Sequence, residues 1–172
     1  ELIVSCVALV AHPDDERYTK LVGATVRTPL YGVEVPVVAH HLAQPDKGTG
    51  VAMICTFGDT TDVTWWRELQ LPIRALIGRD GRMSATTADW ITDGSGRDAY
   101  AAIAGATVKQ AQRRIVEQLQ SSGEMLGEPR PISHPVKFYE RGERPLEIVT
   151  SRQWYISNGG RDTDLRAELL GR

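Results

Sequence analysis

Three short apolar runs rich in valine lie in the first third of the chain, and residues that favour turns follow each of them. The runs cover residues 2–11, 33–39 and 51–57. Runs of this length and composition are typical of buried strands, and the first is apolar enough to be buried on both faces. Pro36 implies that the second strand lies at a sheet edge or carries a bulge. We therefore expect a fold built on β-strands.

Helices are predicted between and after these strands. Residues 107–121 repeat apolar side chains at the helical period, and Gly123 is suited to end the helix. Shorter helices are predicted over residues 62–71, with Asp62 as the N-cap, and over residues 97–104.

The rest of the chain adds further short strands. Residues 73–77 are strand-like and precede a turn at residues 78–81, and strands are also predicted at 136–139 and 146–156. The tail, residues 162–170, has weak helical character. Because strands dominate without a regular βαβ alternation, the fold class is predicted to be mainly β with α, a compact β-barrel with peripheral helices.

Composition narrows the functional classes. The chain has 172 residues and a formal charge of −2, so it lacks the strongly basic total that is typical of a dedicated nucleic-acid binder. A domain that contacts only the end of an RNA needs few phosphate contacts, so RNA remains a possible partner. No run is long and apolar enough to span a membrane, and the cytoplasm is the expected location.

Metal chemistry is not expected. Cys6 and Cys55 lie in separate apolar runs without a CxxC pair, which favours reduced, buried thiols over a zinc site. The His-Pro-Asp-Asp stretch at residues 12–15 is interpreted as a turn that ends the first strand rather than as a metal site.

The segment 48–62 holds the densest set of candidate functional residues. A glycine loop, residues 44–50, leads into the third strand, and Asp59 and Asp62 follow where that strand meets a helix. Two carboxylates at such a junction can bind an ammonium group or orient a water molecule. The alternative is structural, with Asp62 capping the helix and Asp59 shaping the turn.

Several stretches resemble the editing insertion of the class I valyl-tRNA synthetases, in the form typical of actinobacteria. These are VALVAHPDDERY at 7–18, PLYGVEVPVVA at 29–39, DKGTG at 46–50 and PLEIVTSRQWYI at 145–156. The resemblance covers nearly the whole chain. It implies an editing domain over residues 1–144, and a return strand and tail over 145–172 that lead toward the synthetic domain.

The resemblance also implies site residues. The family's pocket motif A-H-D-P-N-D matches residues 57–62, so both aspartates are kept, with Asp62 as the anchor of the substrate's α-ammonium and Asp59 beside it as the second catalytic residue. The family's histidine is replaced by Gly58, its strand lysine by Met53 and a nearby threonine by Cys55. The expected substrate-binding residues are Glu1, Thr56, Phe57, Gly58, Thr60 and Met53.

The implied activity is hydrolysis of the ester bond of mischarged tRNA(Val), chiefly threonyl-tRNA(Val). The implied partners are the 3′ end of tRNA(Val), threonine as the misattached amino acid, and the synthetic domain of the same polypeptide, in a monomer without a membrane partner. Editing is expected to need no metal or cofactor, since ATP and Mg²⁺ serve only the synthetic domain.

Alternatives remain at this point. One is a non-catalytic insertion that positions tRNA and whose pocket has decayed, and another is the editing domain of an isoleucyl-type relative. A free-standing editing protein is a third. In the family a Thr-Thr-Arg-Pro segment before the position of Glu1 lines the pocket, so this stretch alone is expected to hydrolyse its substrate weakly or not at all.

Overall fold

The structure is a computed structural model that describes residues 2–55, 57, 60–129, 138–142 and 163–171. Within these residues a short 3-10 helix at Leu2–Ser5 comes first. The strands are β1 (Ala8–Ala11), β2 (Thr25–Arg27), β3 (Glu34–Ala39) and β4 (Val51–Ile54). The helices are α1 (Thr60–Glu68), α2 (Gly94–Ala101), α3 (Val108–Ser122) and α4 (Thr163–Leu170).

The four described strands form one mixed sheet in the order β2-β3-β1-β4. β1 runs parallel to β3 and antiparallel to β4, while β2 pairs with β3 in the antiparallel sense. The predicted class, mainly β with α, is confirmed. The described strands form an open sheet and not the predicted compact barrel.

β1 lies inside the sheet and is covered on both faces, which explains its unbroken apolar sequence. Ala8 and Val10 point into a cluster that contains Trp65 of α1, whereas Leu9 packs against a second cluster. That second cluster includes Tyr100 of α2 and residues of α3. The sheet is therefore sandwiched, with α1 on one face and α2 and α3 on the other.

The prediction of a strand over residues 2–11 is wrong for its first half. Leu2–Ser5 forms a 3-10 helix, and regular pairing begins only at Ala8. Val4 and Ser5 are buried although they are not in a strand. A short apolar run indicates burial but does not distinguish a buried strand from another buried segment.

The predicted position of Pro36 is also wrong, because β3 lies inside the sheet between β2 and β1. Its parallel register with β1 begins at Val37, one residue after the proline. The missing N–H of Pro36 therefore falls before that ladder starts, which is where a proline is tolerated.

The third apolar run forms β4, which is only partly buried and lies at the edge of the sheet formed by the described strands. β4 ends at Ile54, before the predicted end at residue 57, and Met53 on it is 44% exposed. Residues 73–77 do not form a strand, and only Ile77 makes an isolated bridge, to Met83. The turn predicted between them is confirmed by hydrogen bonds from the N–H of Gly78 to Arg82 O and of Gly81 to Gly78 O.

The prediction of α3 is confirmed at both ends. Thr107 is the N-cap in a capping box with Gln110, and Gly123 ends the helix in the left-handed conformation. α2 begins three residues before its predicted start, and α4 confirms the helical character of the tail. The strand predicted at 146–156, and all but the end of that at 136–139, lie outside the described residues.

None of the helices in the described ranges combines the length and apolarity that a membrane-spanning segment requires.

Candidate functional site

A cleft of about 340 Å³ opens at the edge of the sheet beside β4. Three segments line it: the loop between β3 and β4, strand β4 itself, and the first turns of α1. The lining residues include Leu42, Gln44, Lys47, Met53, Asp62 and Trp65. The volume is at the lower end of the range for small-molecule sites, which suits an amino acid better than a large cofactor.

Asp62 is the carboxylate of this cleft. It lies in the first turn of α1, where unpaired backbone N–H groups and the helix dipole favour a negative charge. The prediction that Asp62 is the N-cap is wrong, because α1 already begins at Thr60. Starting the helix earlier leaves Asp62 on the cleft lining.

The other predicted site residues divide into three groups. Met53 lines the cleft together with Asp62. The ring of Phe57 makes an edge contact with Trp66, with ring centroids 5.3 Å apart, and Thr60 begins α1 with its carbonyl accepting a hydrogen bond from Thr64 Oγ1 at 3.1 Å. Four predicted site residues lie outside the described residues: Glu1, Thr56, Gly58 and Asp59.

Both cysteines are reduced thiols, as predicted. Cys6 is fully buried and Cys55 is partly buried. A hydrogen bond with the Cys6 thiol and desolvation by burial raise the pKa of Cys55 well above its ordinary value. Cys55 is therefore a neutral thiol at physiological pH and is not activated as a nucleophile.

His40 lies directly after β3, at the start of the loop that lines the cleft, and connects this point to α1. Its side chain is 6% exposed, and Nε2 lies 2.8 Å from Oε2 of Glu68 in the last turn of α1. Nδ1 accepts a hydrogen bond from the backbone N–H of Leu42 at 3.1 Å, which makes Nε2 the donor toward Glu68. His40 therefore joins the end of β3 to the helix that carries Asp62.

Sequence reasoning missed Lys47, a positively charged residue on the same lining as Asp62. The DKGTG motif predicts a glycine loop, but nothing in its sequence pattern indicates that this loop folds back toward α1. Trp65 of α1 is buried, with an exposure of only 7%, and it also lines the cleft.

The His-Pro-Asp-Asp stretch forms the predicted turn. The backbone N–H of Asp15 donates to His12 O at 3.1 Å, and His12 Nδ1 accepts from the N–H of Asp14 at 3.2 Å. Among the residues that the structure describes, no three His, Cys, Asp or Glu side chains are grouped closely enough to hold a metal ion.

Comparison with known proteins identifies relatives of this chain. The chain is 67% identical over 172 residues to the valine–tRNA ligase of Thermobifida fusca, which covers all of this chain and 20% of that protein. It is 65% identical over 170 residues to the enzyme of Leifsonia xyli and 61% identical over 172 residues to that of Cutibacterium acnes, again over 20% of each. This chain is homologous to one segment of the valine–tRNA ligases. No family model matches it.

The chain therefore spans about a fifth of the length of the ligases it matches. The resemblance to valyl-tRNA synthetases inferred from the sequence motifs is confirmed, and it extends over the whole chain. In this chain, the residues that line the cleft beside β4 include an aspartate, a lysine and apolar side chains.

Proposed function

We propose that this chain is an editing domain that hydrolyses the ester bond of mischarged tRNA(Val), chiefly threonyl-tRNA(Val). The observation that carries the proposal is Asp62, a carboxylate on the lining of an amino-acid-sized cleft in a segment homologous to valine–tRNA ligases. The proposal concerns this cleft alone.

A second hydrolytic site has a physical reason. Threonine and valine have nearly the same shape, and a hydrophobic pocket rejects such an isostere weakly. Discrimination of threonine by valine–tRNA ligases is the known example of this limit, at about a hundredfold. A site that removes the wrong product must accept the threonine hydroxyl, and Gln44 supplies a polar group on the cleft lining.

The proposed mechanism uses orientation and charge. Asp62 binds the α-ammonium of the aminoacyl group by a charge-assisted hydrogen bond, which fixes the ester carbonyl in one orientation. A water molecule then attacks the carbonyl carbon, and the ester bond to the terminal ribose breaks, so that the products are the free amino acid and the tRNA hydroxyl. An aminoacyl ester is already activated toward water, so positioned donors to the developing oxyanion suffice.

A second function is favoured by one observation. Met53 and the neutral thiol of Cys55 stand where the resembling family has a lysine and a threonine, which leaves this part of β4 with little polar chemistry. The alternative is therefore a non-catalytic insertion that holds the tRNA end without cleaving it.

Deacylation by the full-length protein distinguishes the two functions. We expect threonyl-tRNA(Val) to be hydrolysed much faster than valyl-tRNA(Val), because only threonine offers a hydroxyl to the cleft. The measurement is the release of labelled amino acid from each preformed aminoacyl-tRNA. Binding of threonyl-tRNA(Val) without hydrolysis above the spontaneous rate would support the non-catalytic function and contradict editing.

A further inference from the structure

The loop between β3 and β4 forms one wall of the cleft. It is not held by strand pairing. Leu42, Gln44, Lys47 and Gly50 contribute to the lining from this loop. Two backbone hydrogen bonds form short turns within the loop: the N–H of Lys47 donates to Gln44 O, and the N–H of Gly50 donates to Lys47 O. Turns of this kind shape a loop but do not attach it to the rest of the fold.

The first attachment comes from Arg17. Its Nε and Nη2 donate to the two oxygens of Asp15 at 2.8 and 2.7 Å, and the Asp15 side chain is only 5% exposed. The same Nη2 donates to the carbonyl oxygen of Pro45 at 2.8 Å. Because the buried carboxylate fixes the planar guanidinium at two points, the second N–H of Nη2 is directed toward the loop.

The second attachment comes from the neighbouring residue. The hydroxyl of Tyr18 donates to the carbonyl oxygen of Thr49 at 2.6 Å. Pro45 and Thr49 stand on either side of Lys47, so the two bonds hold the lining part of the loop at both ends.

Close packing at Gly50 supports this attachment. Its φ is +84°, and a Cβ there would lie 2.9 Å from Pro45 O and 3.0 Å from Asp15 Oδ2. Gly48 has a similar φ of +61°, yet a Cβ there would meet nothing within 4 Å. The backbone at Gly50 is thus pressed against the carboxylate that orients Arg17, which only glycine allows.

We propose that Asp15, Arg17 and Tyr18 form a positioning bracket, which holds the 44–50 loop as a wall of the cleft and so sets its affinity for an aminoacylated nucleotide. The bracket residues bond to the backbone of the loop and act on substrate only through it. Affinity for such a ligand matters only if the cleft receives one, so the proposal rests on the function proposed above. When the bracket is weakened, the fraction of molecules with a formed wall falls, and the apparent affinity falls with it.

The test uses two conservative variants, each with a matched control. Tyr18→Phe removes one hydrogen bond from a hydroxyl to a backbone carbonyl. Its control is Tyr100→Phe, which removes the same kind of bond, from Tyr100 Oη to Ser84 O at 2.9 Å, in the core cluster that contains α2 and α3. Arg17→Lys loses the two-point contact with Asp15.

The control for Arg17→Lys is Arg27→Lys. Arg27 contacts Glu34 across β2 and β3, and this ion pair lies outside the cleft lining. Both controls therefore remove comparable contacts that do not involve the loop.

The probe is threonine joined by an amide bond to 3′-amino-3′-deoxyadenosine, which the protein cannot hydrolyse. In the full-length protein we expect Tyr18→Phe and Arg17→Lys to bind it about threefold to tenfold more weakly, the usual effect of one hydrogen bond. KM for deacylation should rise by a similar factor while kcat stays within about twofold. Amide hydrogen exchange in residues 44–50 should quicken in both variants and stay unchanged in both controls.

Each outcome decides the proposal. Unchanged exchange in the loop, or a dissociation constant no weaker than in the matched controls, overturns the bracket. If the wild-type protein binds the probe but hydrolyses nothing, the editing function fails, and the bracket is judged by affinity and exchange. If the wild-type protein does not bind the probe, the editing function and the affinity role of the bracket both fail.

Discussion

The negative charge of the buried Asp15 carboxylate is compensated by the guanidinium of Arg17. The hydrogen bonds from the Arg17 guanidinium hold the pKa of Asp15 below its ordinary value, with a smaller contribution in the same direction from the backbone N–H of Arg17. The folded protein therefore keeps this carboxylate ionised in acid that would protonate it in an unfolded chain.

This gives stability a predictable dependence on pH. An unfolded aspartate has a pKa of about 3.9, so the pair stabilises the fold above about pH 4 and loses that contribution as pH falls through the lower, folded pKa. We expect Asp15→Asn to lower the free energy of unfolding at pH 7, and the difference from wild type to shrink below about pH 4. Urea unfolding at pH 7, 5 and 3 measures it.

The control is Asp14→Asn, since the Asp14 side chain is 89% exposed and should change stability by no more than about 0.5 kcal/mol. A wild-type advantage over Asp15→Asn that persists unchanged at pH 3 would contradict the assigned pair.

Residue types indicated the chemistry of the site but not its geometry. The sequence identified Asp62 as a candidate ammonium anchor and also as a helix cap, and these alternatives separate only when the start of α1 is known. Lys47 was missed because its place beside Asp62 depends on a loop held by residues some thirty positions earlier. Contacts between distant parts of the chain leave no local pattern.

At the level of secondary structure elements, the position of α1 decides where Asp62 lies. α1 packs on the sheet through Trp65, and its last turn is tied to the end of β3 by Glu68 and His40. A shift of this helix would move the carboxylate away from Met53 and the loop.

The His40–Glu68 contact should therefore show measurable coupling. In a double-mutant cycle with His40→Ala and Glu68→Ala at pH 7, we expect a coupling energy of about 1 kcal/mol, because one partner is buried and the bond is short. Chemical denaturation of the four proteins gives the value.

The comparison cycle uses Arg27 and Glu34, an ion pair in which both side chains are largely exposed. Exposed pairs contribute about 0.2–1 kcal/mol, so its coupling should be the smaller of the two. A His40–Glu68 coupling no larger than that of the exposed pair would show that this contact does not fix α1.

Elements with local signals were predicted well. α3 carries its period, its cap at Thr107 and its stop at Gly123 within the sequence of the helix itself. The 3-10 turn at Leu2–Ser5 and the interior position of β3 were not predicted, because burial and pairing partners, rather than the residues themselves, decide them.

In the whole molecule, the sheet separates two cores and leaves the cleft at one edge. The larger cluster, with Tyr31, Ile91 and Tyr100, gives support on one face, and the smaller one, with Ile54 and Trp65, supports α1 on the other. Among the described strands, the order β2-β3-β1-β4 places β4 at the edge, and the cleft lies between this strand, the preceding loop and α1. The sequence indicated the strands but not this order.

The central claim is that Asp62 binds the ammonium of a misattached amino acid. The most direct test is single-turnover deacylation of threonyl-tRNA(Val) by the full-length protein with Asp62→Asn, which keeps the size of the side chain and removes its charge. The matched control is Asp164→Asn, because Asp164 is also an acidic residue in the first turn of a helix, α4, but is exposed.

We predict that Asp62→Asn slows deacylation by about tenfold to a hundredfold, the loss expected for one charge-assisted hydrogen bond, while Asp164→Asn deacylates at the wild-type rate. Equal rates for wild type and Asp62→Asn would contradict the role assigned to Asp62 and the function proposed for the cleft.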